Sequence, residues 1–226
     1  MLTWCVGYDR DESGAAYVLA HSIQRRSSIP VSFIFINRTS LKGIYKRERT
    51  PVESTDFALT RFLVPYICNY EGFAIFSDCD MVVRDDAAKL WAWRDEKYAV
   101  RCVKHTHVPK EETKFLNHIQ TRYEKKNWSS VMLFNNAKCT ALTPEYVNTA
   151  SGLELHQFKW IDSEKLIGDL PAQWNLLADY DKYDPEACLV HWTKGGPYFP
   201  EYSNCDYHTD WWTEQVLMNH ITKLPK

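Results

Sequence analysis

The feature that most restricts this chain is a short apolar run ending in paired carboxylates. Phe73-Ala74-Ile75-Phe76-Ser77 carries no charge and leads into Asp78-Cys79-Asp80, after which Met81-Val82-Val83 is apolar again. A run of that length, bounded by polar residues, reads as a buried strand. On an extended backbone residues i and i+2 share a side, so Asp78 and Asp80 converge while Cys79 faces away. In open α/β sheets ligands bind beyond the carboxyl ends of strands, which is where this pair is expected. Two oxygen donors without a full cage suit Mg²⁺ or Mn²⁺, completed by phosphate oxygens and water. A bare Asp-x-Asp is more often a turn in which one aspartate caps a helix. Here the apolar residues on both sides embed the carboxylates against a hydrophobic wall, where unpaired charge is costly and a metal relieves the cost.

The flanking segments predict an α/β architecture. Leu2 to Tyr8 reads as a buried strand, residues 9–14 as a polar turn, Ala15 to Ile23 as a helix and Val31 to Ile36 as a second strand. Strand, helix, strand in that order implies parallel pairing with a right-handed connection. Arg38 to Pro51 is polar and basic and reads as a loop. Ser54 or Thr55 is then expected to cap a helix running to about Cys68, with Phe57 and Arg61 four apart on one face. Tyr98 to Val103, Val131 to Phe134 and Ala187 to His191 are further predicted strands. With 45% hydrophobic residues and no internal repeat or linker, the 226 residues are expected to form one domain, 1–226.

Composition narrows the partners. Lys and Arg number 27 against 29 Asp and Glu, so no broad field points to nucleic acid or anionic lipid. The seven cysteines are scattered and contain no Cys-x-x-Cys pair, which argues against a disulfide framework or a zinc knuckle. Reduced thiols in a cytoplasmic protein are the expectation, with no apolar run of signal-peptide or membrane-spanning type. Asn37-Arg38-Thr39 and Asn127-Trp128-Ser129 then read as chance matches to the glycosylation sequon. Nine Trp and thirteen Tyr make aromatics the outlier, with Trp174, Trp192, Trp211 and Trp212 in the last third. Such rings stack on sugar faces but also fill cores.

A second constellation lies near the end, in Leu189-Val190-His191-Trp192-Thr193-Lys194-Gly195-Gly196-Pro197. His191 closes an apolar run and is a candidate nitrogen ligand for the same ion, which favours Mn²⁺ over Mg²⁺. Lys194 is suited to neutralise a phosphate, and Gly195 and Gly196 to let backbone N–H groups approach it. Taken alone, the histidine reads as structural and Gly-Gly-Pro as a turn; the conjunction with Asp78 and Asp80 carries the information.

Six pieces in order resemble the retaining glycosyltransferases of family 8, which include glycogenin and the bacterial lipopolysaccharide galactosyltransferases. They are Gly7-Tyr8-Asp9, Thr55-Asp56-Phe57-Ala58-Leu59-Thr60-Arg61, Phe76 to Val83, Ser129 to Asn135, Gly168 to Asn175, and His191-Trp192. The resemblance implies a GT-A fold, a Rossmann-like mixed central sheet flanked by helices, that binds a UDP-sugar or similar donor. It implies Asp78, Asp80 and His191 as metal ligands, Gly7, Tyr8 and Asp9 as base and ribose contacts, and Arg61 as a brace for donor and carboxylates. Lys194 and Gly195 stand in the phosphate segment, but in the order opposite to the family's. Trp128-Ser129-Ser130 replaces a small-residue pair beginning with Asn, and Asp162 matches a carboxylate beside the reaction centre.

Departure of the diphosphate loads it with negative charge, which a metal and cations stabilise. Retention follows from a same-face attack assisted by the leaving phosphate, or from a double displacement for which Asp162 is the candidate nucleophile. Two other readings compete. In a haloacid dehalogenase-type phosphatase Asp78 is the nucleophile and Asp80 the acid/base; in a silent module the fold binds a nucleotide-sugar without turnover.

Overall fold

The computed structural model of the protein describes residues 1–50, 53–106 and 123–219, together with Thr113 and Leu116. Strand β1 (Leu2–Gly7) is buried along nearly its whole length and is followed by helix α1 (Ser13–Arg26) and strand β2 (Val31–Ile36). The two strands pair in parallel from Leu2 opposite Val31 to Gly7 opposite Ile36. Strand β3 (Phe73–Ser77) joins the other side of β1, also in parallel. A short strand β4 (Met81–Val83) follows, then helix α3 (Ala87–Trp91), with α2 being the single turn Val64–Ile67 that precedes β3. Beyond β5 (Val100–Cys102) come β6 (Val131–Asn135), α4 (Pro144–Thr149), α5 (Gly152–His156), β7 (Ile167–Asp169), β8 (Leu176–Leu177), β9 (Leu189–His191) and α6 (His208–Met218).

The main sheet runs in the order β2-β1-β3-β6-β5-β7. Its β2-β1-β3 half is parallel, β6 is antiparallel to both β3 and β5, and β7 is parallel to β5. The mixed central sheet expected from the sequence is therefore present. A second sheet, β4-β9-β8, stands apart, with Met81 opposite His191. Asp78 to Asp80 thus bridges two sheets: β3 ends just before it and β4 begins just after. Residues 79 and 80 form a bend rather than continuing the strand.

Three anchors hold this bridge. Trp4 Nε1 donates to Ser77 Oγ at 2.8 Å in the core, Asp78 N–H donates to Ser130 O at 2.9 Å, and Trp192 N–H donates to Asp80 O at 2.9 Å. On the far side α1 is wedged between the sheets. Ala16, Leu19 and Ile23 face the main core while Val18 packs with Val82, Val190 and Trp211 in a second one. Ser22 Oγ accepts the N–H of Val83 at 3.0 Å, so the helix also pins β4.

One expectation needs correction. The helix predicted from Ser54 or Thr55 to Cys68 is not continuous: a turn over 55–59 leads to a 3-10 segment, Thr60–Leu63, and only Val64–Ile67 is α-helical. Val64 N–H closes a tight bond to Arg61 O, and Pro65 brings no N–H to widen it. For the aromatics, of the two roles the sequence leaves open, the structure favours core filling. Trp174, Trp192, Trp211 and Tyr207 are buried, and Tyr207 Oη binds the backbone of Asp184 from within the fold. Packing accounts for them; Trp212 remains exposed. All seven cysteines are free thiols. No helix among the described residues is long and apolar enough to cross a membrane.

Candidate metal and donor site

Asp78, Asp80 and His191 meet where the two sheets abut. One ligand atom from each lies within 4.8 Å of the others, an arrangement able to hold a metal ion. His191 arrives opposite Met81 through the β4–β9 pairing, so a contact between residues more than a hundred apart is set by backbone register. Its Nε2 stands 3.5 Å from Asp80 Oδ1 and 4.0 Å from Asp78 Oδ2. Its Nδ1 is 3.1 Å from Asn175 Oδ1. An amide oxygen only accepts, so Nδ1 carries a proton, and Nε2 is the ring atom that faces the carboxylates and would be offered to a metal. Asn175 is held in turn: its amide nitrogen donates to Ser130 Oγ at 2.8 Å. This is the outer support that metal-binding histidines commonly have.

Arg61 is buried at the other flank. Its guanidinium pairs with Asp78 Oδ1 at 2.7 Å, donates to the carbonyls of Ala58 and Ser129 at 3.0 and 2.9 Å, and lies over the rings of Phe57 and Phe76. Arg61 is therefore an internal cation: its Nε and Nη1 both find acceptors inside the protein. Cys79, between the two aspartates, is fully buried, and burial followed by the carboxylates of Glu12, Asp80, Asp78 and Asp9 pushes its thiol well up. It is an inert packing residue.

The other sequence candidates lie at varied distances from this centre. Gly7 ends β1 where any side chain would collide with Phe57, whose ring comes within 2.5 Å of a built Cβ. Tyr8 is half-buried beside Tyr17 and Phe35. Asp9 is buried and accepts the N–H groups of Asp11 and Asp56 at 2.8 and 2.7 Å. Its carboxylate, after burial, is the main cause that raises the carboxyl of Asp56 above its ordinary value. Lys194 is half-buried, its ammonium 5.6 Å from the Tyr180 ring. Gly195 N–H already donates to Trp192 O at 2.8 Å, and Gly196 is packed against Tyr198, whose ring lies 2.2 Å from a built Cβ. Close packing is thus what demands glycine at position 196. Asp162 is exposed on the turn before the 3-10 segment Glu164–Leu166.

Beside the carboxylates opens a cavity of about 500 Å³, with Asp78, Arg61, Ser129, Ser130, His156 and Thr193 in its wall. Gly7, Tyr8, Asp9, Lys194, Gly195 and Asp162 do not line it. His156 was not anticipated from sequence, since it is a lone histidine in a stretch without a motif. Burial, then the cations of Arg61 and Lys126, hold its pKa well below the ordinary imidazole value. Asn175 closes the family-like stretch Gly168 to Asn175, where nothing in the local sequence marks it as the partner of His191.

No protein-family model matches the sequence. Protein CDI of Arabidopsis thaliana is 42% identical over 227 residues, covering 96% of this chain and 87% of that protein. Among solved structures, the bifunctional glycosyltransferase WbbM superposes with a TM-score of 0.66 at 12% identity, over 95% of this chain and 49% of that one. The glycosyltransferase GlyE of Streptococcus pneumoniae gives 0.63 at 14%, over 97% and 63%. The galactosyltransferase LgtC, solved with donor and acceptor sugar analogs, gives 0.58 at 11%, over 100% and 98%. The chain thus spans about half of WbbM and 63% of GlyE, but nearly all of LgtC. These neighbours agree with the GT-A fold expected from the sequence. The chain belongs to the family of Arabidopsis Protein CDI, and its fold is the GT-A fold of the family 8 glycosyltransferases.

Proposed function

We propose that the protein, as one domain spanning 1–226, is a metal-dependent glycosyltransferase acting in the cytoplasm. It moves a hexose from a UDP-sugar to a hydroxyl acceptor with retention of configuration. The observation that carries this reading is the Asp78, Asp80 and His191 cluster, with its oriented imidazole, whose Asp78 lines a cavity large enough for a sugar. Two carboxylates and one neutral imidazole fit Mn²⁺ better than Mg²⁺, which prefers oxygen donors throughout. When bound there, such an ion neutralises charge on the diphosphate as the sugar leaves.

The protein's own residues divide the remaining work. Asp80 and His191 are the stronger ligands, because Asp78 shares its charge with Arg61. Asp78 is left to bridge toward the ribose, with Gly7, Tyr8 and Asp9 contacting the nucleoside. Lys194 and the Gly195 segment stand over the phosphates. The exposed position of Asp162 favours same-face attack, in which the leaving phosphate takes the proton of the acceptor hydroxyl and no protein nucleophile is needed.

The test is calorimetry of UDP and a panel of UDP-sugars with and without Mn²⁺, followed by an assay of UDP release. Mn²⁺-dependent binding that Asp80→Ala abolishes supports the proposal, and metal-independent binding refutes it. Binding without UDP release, with any acceptor tried, identifies a silent module instead. A glycosylated Asp162 trapped by mass spectrometry would overturn the same-face scheme.

A further inference from the structure

Helix α5 begins with a reciprocal cap. Glu154 N–H donates to Ser151 Oγ at 3.1 Å, and Ser151 N–H donates to the Glu154 carboxylate at 2.8 Å. Its last residue is His156, whose ring is held on several sides. Nδ1 is 2.7 Å from Ser129 Oγ; the Phe62 ring meets it edge-on at 5.2 Å and Tyr123 stands at 5.7 Å. Among the described residues no other group hydrogen-bonds the imidazole, which leaves Nε2 available to a ligand.

A continuous line of contacts joins this ring to the metal ligands. Ser129, which takes His156 with its side chain, takes Arg61 with its carbonyl at 2.9 Å, and Arg61 pairs with Asp78 at 2.7 Å. All four residues line the same cavity. The low pKa of His156 keeps the ring neutral near pH 7, so it offers one hydrogen bond to an uncharged polar group rather than a charge to a phosphate. A hydroxyl is the matching chemistry.

This step rests on the proposed donor reading. With the nucleoside at Gly7 to Asp9 and the diphosphate at the metal ligands, the portion of the donor left to enter the cavity is the sugar. We propose that His156 recognises the transferred sugar, its Nε2 hydrogen-bonding a ring hydroxyl, with Ser129 as the positioning residue that fixes the imidazole. The residue thereby contributes to the choice of donor sugar.

Calorimetry in Mn²⁺ with UDP, UDP-glucose, UDP-galactose, UDP-xylose and UDP-N-acetylglucosamine tests it on the wild type and on His156→Ala, His156→Gln and Ser129→Ala. Thermal melts check that each variant is folded. The wild type is expected to bind one UDP-sugar more tightly than UDP. His156→Ala should lose about tenfold in that sugar's affinity while its affinity for UDP is unchanged. His156→Gln, whose amide also donates and accepts, should recover part of the loss. Ser129→Ala should weaken the sugar and leave UDP alone. If His156→Ala keeps the wild-type ratio of UDP-sugar to UDP affinity, or if the wild type binds no sugar more tightly than UDP, the assignment is wrong while the diphosphate reading stands. If the wild type binds neither UDP nor any UDP-sugar, the donor reading itself has failed, and the assignment with it.

Discussion

Asn175 Oδ1 takes the Nδ1 proton of His191 at 3.1 Å, and this one bond decides which face the imidazole shows to Asp78 and Asp80. Losing it frees the ring to rotate and to change tautomer. Asn175→Ala is expected to weaken Mn²⁺ binding by about tenfold to a hundredfold, the usual effect of removing a second-layer partner. Isothermal titration with Mn²⁺ measures it, and an unchanged affinity would remove Asn175 from the site.

Without metal, Asp78 and Asp80 hold two carboxylates in close quarters at a mostly buried position. Asp80→Asn should therefore raise the melting temperature of the metal-free protein, since it removes one of two like charges. In excess Mn²⁺ the order reverses: the wild type gains about 2.7 kcal/mol at a hundred times Kd, and the variant gains little. Paired melts with EDTA and Mn²⁺ give both numbers.

Arg61 and Asp78 form an ion pair whose side chains are 7% and 15% exposed. Arg61→Met removes the guanidinium paired with Asp78 and the donor that Arg61 supplies to the carbonyls of Ala58 and Ser129. A loss of about 3–5 kcal/mol is expected, read by urea unfolding. Arg61→Lys keeps the charge but offers its donors from a single nitrogen, without the separate Nε and Nη1 that reach Ala58 on one side and Ser129 and Asp78 on the other, and should fall between.

Gly7 faces the Phe57 ring, 2.5 Å from a built Cβ. Gly7→Ala should cost about 1–3 kcal/mol through overpacking. The double variant Gly7→Ala/Phe57→Leu should be closer to additive recovery than to the sum of two losses, because the smaller side chain vacates the clash.

Glu214 on α6 is tied to α1 by Arg25 and Arg26 at 2.9 and 2.7 Å, with His21 at 2.6 Å. Burial alone would raise its carboxyl, but the hydrogen bonds and charges of the two arginines outweigh this and hold it below its ordinary value. A carboxyl lower in the folded than in the unfolded chain stabilises fully above the unfolded pKa, and the contribution disappears as pH falls through the folded one. Acid unfolding should therefore weaken the α1–α6 contact below about pH 4.5, near the ordinary glutamate value. Glu214→Gln should flatten this part of the stability profile while lowering stability at pH 7.

Local chemistry made much of the site legible beforehand. Phe73 to Ser77 is apolar throughout and ends in acid, so strand β3 and its two carboxylates could be read directly, as could β1 and β2 from their own buried runs. The α1 pattern gave the helix but not its length, since Ala15 to Ile23 is the middle of a helix that runs over Ser13–Arg26. The single helix expected from Ser54 or Thr55 to about Cys68 is absent because a helix-like spacing of Phe57 and Arg61 does not reveal that Pro65 and the tight Val64 to Arg61 bond divide it. Strands β7 and β8 have three and two residues, too few for any periodicity to appear.

What the sequence by itself determined was therefore chemical: which residues carry donor atoms suited to a metal, and where an apolar strand must be buried. The tertiary structure decided geometry. His191 reaches Asp80 because β9 pairs antiparallel with β4, and Asn175 reaches His191 because β8 lies beside β9. His156 enters the cavity because α5 is capped and its ring is pinned on Ser129. Each of these contacts spans many residues of chain, and its position is fixed by backbone register and packing, which no local pattern of side chains encodes.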